Sequence, residues 1–343
     1  MKKVCILGAG SWGTALAIHL ALKHYRVTLW GRPEDDIDQI KEKGENQHFL
    51  PGVKLPDRVY PETDLQKALK NTDMVVLAVP SQALRDVLGS VQPYLTTNTR
   101  LVNTAKGLEL SSGLRMSQVV QEVLGAEYLP GYAVLSGPSH AEEVGRQIPT
   151  AVTVAAYNKE TAFLVQNTFM SGNFRVYTNP DVSGVELGGA LKNIIALATG
   201  ILYGLEYGDN TAAALMTRGL AEMTRMGVAM GGDQRTFYGL SGIGDLVVTC
   251  SSQHSRNRRA GEMIGQGQTL EQTMQNIGMV VEGAYTTRVV HHLATRMNID
   301  MPITTACYRV LYEGRNPRHE VEKLMKRQKK HEMEETVTQN IDW

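Results

Sequence analysis

The sequence predicts an α/β fold, a doubly wound and mostly parallel sheet in residues 1–180 followed by an all-α half in residues 181–343. Three observations predict it. A chain of 343 residues exceeds the size at which one hydrophobic core keeps growing, so two domains with a cleft between them are expected. Short apolar or β-branched runs recur at residues 3–7, 27–30, 74–79, 101–104, 133–135, 151–155 and 174–177, most of them separated by helix-like segments. From about Asp181 the runs stop, and long Ala-, Leu-, Met- and Gly-rich stretches at helical spacing take over.

The first run reads as a strand, and the pattern Ala15, Leu16, Ile18, Leu20 and Leu22 after a Gly-rich turn reads as a helix. Strand then helix is the first half of a βαβ unit. Met1-Lys2-Lys3 followed by an apolar stretch to Leu22 has the look of a signal peptide or membrane span. Gly8, Gly10, Gly13 and His19 interrupt it, however, and a strand feeding a buried helix carries the same apolar bias. No other segment is expected to be long and apolar enough to span a bilayer, so stable membrane insertion is not expected.

In the second half, Asp181 is placed to cap a helix running through residues 186–203, and Asp209 or Asn210 to cap one ending at Gly231-Gly232. Shorter helices are expected to start near Ser255, Leu270, Ala284 and Thr304, and the polar residues 325–343 to end as a frayed helix or tail.

Basic and acidic residues balance at 35 each, which gives no general attraction to nucleic acid or to an anionic membrane, so an anionic ligand needs a local site. Cys5, Cys250 and Cys307 are far apart, lack metal-ligand spacing and leave an odd thiol if any two pair. That fits a reducing cytoplasm and no metal.

Gly8-Ala9-Gly10-Ser11-Trp12-Gly13 matches GxGxxG directly after a strand and at the opening of a helix. There, backbone N–H groups and the helix N-terminus face a pyrophosphate, and the third glycine lets helix and strand pack closely. The second strand ends Leu29-Trp30-Gly31-Arg32. A carboxylate at that point accepts from a ribose 2′-hydroxyl, whereas a guanidinium holds a 2′-phosphate in a bidentate fork, so Arg32 favours NADPH over NADH. Glu34, Asp35 and Asp36 blur that preference, and Pro33 removes a backbone donor beside it. Val79-Pro80-Ser81 and Thr104-Ala105-Lys106-Gly107 end later strands, at the edge where open α/β sheets bind ligands, and Lys106 is placed there for the substrate or the nicotinamide end.

Four further segments carry a resemblance: Ser136-Gly137-Pro138-Ser139-His140-Ala141, Glu186-Leu187-Gly188-Gly189-Ala190-Leu191-Lys192-Asn193, Gly242-Ile243-Gly244-Asp245-Leu246-Val247-Val248-Thr249-Cys250, and His254-Ser255-Arg256-Asn257-Arg258-Arg259. Together the chain resembles the NAD(P)-dependent glycerol-3-phosphate dehydrogenase family in its bacterial form, from the glycine turn through Val280-Val281-Glu282-Gly283 to Leu324-Met325. The resemblance implies a Rossmann domain followed by a helical one, in a cytoplasmic homodimer. It implies the reversible reduction of dihydroxyacetone phosphate to sn-glycerol 3-phosphate, which supplies phospholipid synthesis. It also implies that Ser11, Trp12, Arg32, Lys106, Ala141, Arg256, Val280 and Glu282 line the dinucleotide. Lys106, Gly137, Ser139, Lys192, Asp245, Ser255, Arg256 and Asn257 would line the substrate.

The residues give physical reasons beside the name. Lys192 lies in an apolar helix with Leu191, Ile194, Ile195 and Leu197, where a lysine is seldom found unless paired, used, or snorkelling to the surface. Reducing a ketone needs a proton at the developing alkoxide, and an ammonium supplies both field and proton. Lys192 is therefore the expected acid/base, oriented by Asp245 and Asn193, although Asp245 among glycines also reads as a turn carboxylate. Gly188 and Gly189 allow a cofactor or another backbone to approach. Ser255-Arg256-Asn257 opening a helix offers a hydroxyl, N–H groups and a guanidinium to a phosphate dianion. The bland reading of Arg256, Arg258 and Arg259 is a solvated basic face, and without interleaved aromatics it is a poor nucleic-acid patch. His140 and His254 are read as structural. Two alternatives stand beside this reading: a two-domain dehydrogenase of 3-hydroxy acids or a sugar-acid phosphate, and a non-catalytic NAD(P)H sensor.

Overall fold

Strands that are apolar on both faces require cover on both sides. The computed structural model describes residues 3–329 and 332. In it, β1 (Lys3–Leu7), β2 (Arg26–Trp30), β3 (Val59–Glu62), β4 (Met74–Leu77), β5 (Arg100–Asn103), β6 (Tyr132–Ser136), β7 (Thr150–Ala156) and β8 (Phe174–Asn179) form one sheet. Their order is β3-β2-β1-β4-β5-β6-β7-β8. Every neighbouring pair is parallel except β6 with β7. Val4, Ile6, Leu29, Val76 and Val102 feed one apolar layer while Cys5, Leu7, Val75, Leu77 and Leu101 feed the other, as the two-residue period of a strand requires. The apolar pattern does not reveal β3. It is short, carries Pro61 and an exposed Tyr60, and lies at the sheet edge, where proline is tolerated.

Strand order reverses between β1 and β4, which opens a crevice beyond their carboxyl ends. The glycine turn, Arg32, Ser81, Lys106 and Gly137 follow β1, β2, β4, β5 and β6 at that same edge. The apolar start of the chain is the central strand β1 and the helix Ser11–Leu22, buried from Gly13 to Ala21.

Because β7 runs antiparallel to β6 and β8 runs with β7, the chain leaves β8 at the opposite edge. The helix Val182–Gly204 starts there, with the Asp181 carboxylate accepting from Gly184 N at 2.8 Å. It then returns across the sheet. Val182 and Val185 pack into the sheet's core, Glu186 meets Tyr132 at the start of β6, and Gly189 lies against Ser136 at its end. A rise of about 1.5 Å per residue carries Lys192 back to the crevice.

This helix corrects one expectation. With a mean hydropathy of 1.4 it is long and apolar enough to cross a membrane, contrary to the reading that no further segment is. Its apolar window is entirely buried in the protein, against Met223, Met226, Leu246, Val290 and Leu293 among others.

The helix Asp209–Ala229 is capped by Gly208, and neither Asp209 nor Asn210 serves as its N-cap. The helices Arg256–Gly265, Leu270–Ile277, Glu282–Met297 and Pro302–Tyr312 begin at or within two residues of the expected positions. Gln234–Phe237, Asp245–Ser251 and Pro317–Met325 are helices that the pattern did not indicate. Met325 ends the last of these, and most of the expected tail lies outside the described residues. No strand follows β8 among the described residues.

The helices Val182–Gly204 and Arg256–Gly265 touch through their backbones. A Cβ on Gly200 would stand 2.0 Å from the Arg258 carbonyl oxygen, and one on Gly261 2.0 Å from that of Leu197. Only glycine allows this approach, and it sets the start of one helix beside Lys192 on the other.

Candidate active site

The glycine turn is built for close approach on both sides. Gly8 has φ +113°, its N–H donates to Trp30 O at 2.8 Å, and a Cβ there would lie 2.7 Å from Ala78 O. A Cβ on Gly13 would lie 1.9 Å from Gly8 O, whereas one on Gly10 would meet nothing within 4 Å among the described residues. The outer glycines are thus required by internal packing, and Gly10 presents bare backbone to open space. No side chain caps the helix Ser11–Leu22, so its first N–H groups also point outward. Asn46 holds the turn from behind, donating 2.8 Å hydrogen bonds to Ala9 O and Thr14 Oγ1. A dinucleotide pyrophosphate fits this cradle.

Arg32 is exposed beside it, with its guanidinium on Asp35 at 3.1 and 3.3 Å and its backbone N–H donating to Asp35 Oδ2 at 2.9 Å. Pro33 is the first residue of the short 3₁₀ turn Pro33–Asp35, where a missing donor costs nothing. Ala141 is buried at the start of the helix Ala141–Gly145, while Trp12 and Val280 are half-buried. Glu282 reaches across from the helical half. Its carboxylate accepts from Ser81 N at 2.9 Å and Ser81 Oγ at 2.5 Å, and burial pushes its pKa up despite those bonds.

Lys192 lies deeper, at 5 % exposure. Its ammonium donates to Asp245 Oδ1 at 2.6 Å and Thr249 Oγ1 at 2.5 Å. Lys106 donates to the other carboxylate oxygen of Asp245 at 2.5 Å and to Gly137 O at 3.0 Å. One carboxylate therefore bridges two ammonium groups. Burial lowers the Lys192 pKa to about 8, with Asp245 pulling it back up and Lys106 adding to the fall. Burial alone would raise Asp245, but the two lysines outweigh it and hold that carboxyl below its usual range. The residue is not a turn carboxylate, since it opens the helix Asp245–Ser251 after the π-turn Leu240–Gly244.

Asn193 sits one residue on but does not orient Lys192, as the sequence suggested. Its amide donates to Lys106 O at 3.1 Å and its oxygen accepts from Asn257 Nδ2 at 2.9 Å. Asn257 Oδ1 in turn accepts from Gly283 N at 2.8 Å, so the asparagine pair joins the Lys106 loop to two helices. Of the two partners foreseen for Gly188, a backbone is the one present, for a Cβ there would lie 2.6 Å from Ser241 O.

Ser255 caps the helix Arg256–Gly265, its Oγ accepting from Arg258 N at 3.2 Å. The N–H groups of Arg256 and Asn257 occupy the first two helical positions, where no intrahelical acceptor exists. The exposed Arg256 side chain adds a guanidinium to that anion-ready end. Arg258 is buried over the Tyr203 ring at 4.7 Å and is a packing residue. Ser139 donates to Gly137 O at 2.9 Å. The His140 and His254 rings lie 5.8 Å apart, and burial with the Lys192 and Lys106 charges holds His140 below its usual range.

Two participants escape sequence reasoning. Thr249 is one turn from Asp245 on the same helical face, a signal hidden once the segment is read as a turn. Ser81 lay in view at the end of β4, but nothing in the sequence pairs it with Glu282. Among the described residues no group of three or more His, Cys, Asp or Glu side chains is arranged to hold a metal ion, and all three cysteines are buried free thiols.

A glycine cradle opening a helix at the switch point of a doubly wound sheet defines the dinucleotide-binding class to which NAD(P)-dependent dehydrogenases belong, and here Asp245 links a buried lysine of the helical half to Lys106 at the same sheet edge. Models of the N-terminus and C-terminus of NAD-dependent glycerol-3-phosphate dehydrogenase match residues 3–162 and 181–322. The chain belongs to that family. It is 65 % identical over 343 residues, all of both chains, to a glycerol-3-phosphate dehydrogenase (NAD(P)+) of Syntrophomonas wolfei. A Bacillus pumilus relative of the same name is 53 % identical over 98 % of each chain. The crystal structure of glycerol-3-phosphate dehydrogenase from Coxiella burnetii is similar at a TM-score of 0.91 and 42 % identity, covering 95 % of this chain and 99 % of that one.

Proposed function

We propose that this protein catalyses the reversible reduction of dihydroxyacetone phosphate to sn-glycerol 3-phosphate, the acceptor for phospholipid synthesis, with Lys192 as the proton donor. The observation that carries the reading is the buried Lys192 ammonium on Asp245, with a pKa of about 8 beside the glycine-turn crevice. The residues proposed to hold the dinucleotide are Gly8, Gly10, Ser11, Trp12, Gly13, Arg32, Lys106, Ala141, Arg256, Val280 and Glu282. When bound, NAD(P)H supplies the hydride. Lys192 gives its proton to the oxygen that becomes the hydroxyl and takes one back in the reverse direction. Lys106 adds a second positive charge where negative charge develops on that oxygen. Asp245 keeps both ammonium groups aimed and favours the charged form of Lys192. Ser255, the N–H groups of Arg256 and Asn257, and the Arg256 guanidinium hold the phosphate, while Gly137 and Ser139 line the space between.

The same reading divides the chain into a dinucleotide domain, residues 1–180, and a catalytic domain, residues 181–343, and includes a cytoplasmic homodimer. Initial rates with NADPH and with NADH on dihydroxyacetone phosphate test substrate and cofactor together. Turnover of the triose phosphate with faster use of NADPH is expected. No turnover of it, with turnover of a 3-hydroxy acid, would overturn the substrate. Sedimentation giving a monomer at assay concentrations would remove the dimer.

A further inference from the structure

Arg32 is the residue expected to grip the 2′-phosphate of NADPH, yet its fork is already engaged. Asp35 accepts from Arg32 Nε at 3.3 Å and from a terminal guanidinium nitrogen at 3.1 Å, which is the bidentate arrangement a phosphate would take. The carboxylate is not there by chance of rotamer. Its Oδ2 also accepts from Arg32 N at 2.9 Å, and Asp35 N donates to Arg32 O at 2.9 Å, so the 3₁₀ turn Pro33–Asp35 holds it in place. The Arg32 side chain is 65 % exposed and that of Asp35 only 23 %, so the carboxylate is the member held by the turn and the guanidinium the one open to a ligand. The pair stands where β2 ends, two residues past Trp30, whose carbonyl binds the glycine turn through Gly8. Among the described residues Asp35 is the acidic side chain that hydrogen-bonds Arg32, while Glu34 acts on it only through its charge, which singles out Asp35 from the acidic run.

We infer that Asp35 is a selectivity brake on the cofactor site, occupying the Arg32 fork in competition with a 2′-phosphate and so narrowing the preference for NADPH over NADH. A 2′-phosphate must displace the carboxylate from Arg32 and tolerate its negative charge nearby. A 2′-hydroxyl needs no displacement and finds an acceptor. The inference rests on the reading of the crevice as a dinucleotide site.

The test uses nucleotide fragments and no turnover. Adenosine 2′,5′-bisphosphate and 5′-AMP are titrated calorimetrically into the wild-type protein, Asp35→Asn, Arg32→Ala and the double variant. Asparagine keeps the oxygen that accepts from Arg32 N, so the turn is retained. Asp35→Asn should bind the bisphosphate about two- to fivefold more tightly, the range of an exposed ion pair, and leave 5′-AMP unchanged. In the Arg32→Ala background the same substitution should add clearly less, since only the repulsion by the nearby carboxylate is then relieved. Equal change for both fragments, no change for either, or an undiminished gain without Arg32 would each overturn the inference. A wild-type protein that binds neither fragment nor NADPH would overturn the dinucleotide reading, and this proposal with it.

Discussion

Lys192 owes its chemistry to the place where its side chain ends. Withdrawn from water, the ammonium is destabilised, and its pKa falls to about 8, while Asp245 limits the fall. Below that pH the lysine is the acid that reduction needs, and above it the base that oxidation needs. Glycerol 3-phosphate oxidation should therefore rise with pH through about 8, and dihydroxyacetone phosphate reduction should decline above it. Asp245→Asn removes the attraction that raises Lys192 and leaves the repulsion from Lys106, so the limb should move to lower pH. A pH profile of kcat for oxidation checks this, and a limb that stays put or moves upward would count against the bridge. The sequence made Lys192 legible because a cation among aliphatic side chains is an anomaly in itself. It did not reveal the partners of Asn193, which lie 87 and 64 residues away and depend on tertiary structure alone.

Strands and helices were legible where burial is one-sided or complete and opaque where it is neither. The central strands announce themselves by unbroken apolar runs, and Asp181 and Ser255 by their capping chemistry. β3 stays hidden because an edge strand of four residues with a proline has almost no pattern. Asp245 among its glycines also reads as a turn carboxylate and in fact opens a helix after a π-turn, in which Gly242 is pressed against Phe237 so closely that a Cβ would lie 2.0 Å from Phe237 O. At this scale the glycine contact between Val182–Gly204 and Arg256–Gly265 carries a prediction. Gly261→Ala pushes a methyl group into the Leu197 carbonyl and should cost about 1–3 kcal/mol, the usual range for overpacking. Thermal unfolding should report the loss, and KM for dihydroxyacetone phosphate should rise more than KM for NADPH, because the helix start that moves is the anion-binding one. Equal changes in both constants would mean that the contact does not position that end.

Across the whole molecule, the sheet and the helical half are tied at the edge opposite the crevice. Glu186 accepts from Arg115 at 2.7 Å, Ser117 N at 2.8 Å, Ser117 Oγ at 2.7 Å and Tyr132 OH at 2.5 Å, all buried or nearly so. Glu186→Ala leaves the Arg115 charge stranded and should destabilise the fold by about 3–5 kcal/mol, as breaking a buried pair does, while leaving the pH limb of Lys192 in place. Denaturant unfolding paired with the pH profile separates the two roles. A shift of the limb would show that Glu186 acts on the site and is more than an anchor. The tie, the returning helix and the reversal of strand order together bring one lysine to a cradle built from the other end of the chain. The most direct measurement of that claim is turnover of dihydroxyacetone phosphate by Lys192→Met alongside calorimetric binding of NADPH. Loss of the proton donor should lower kcat by at least about 10²- to 10⁴-fold and leave NADPH affinity unchanged. Turnover within a few-fold of wild type would contradict that claim.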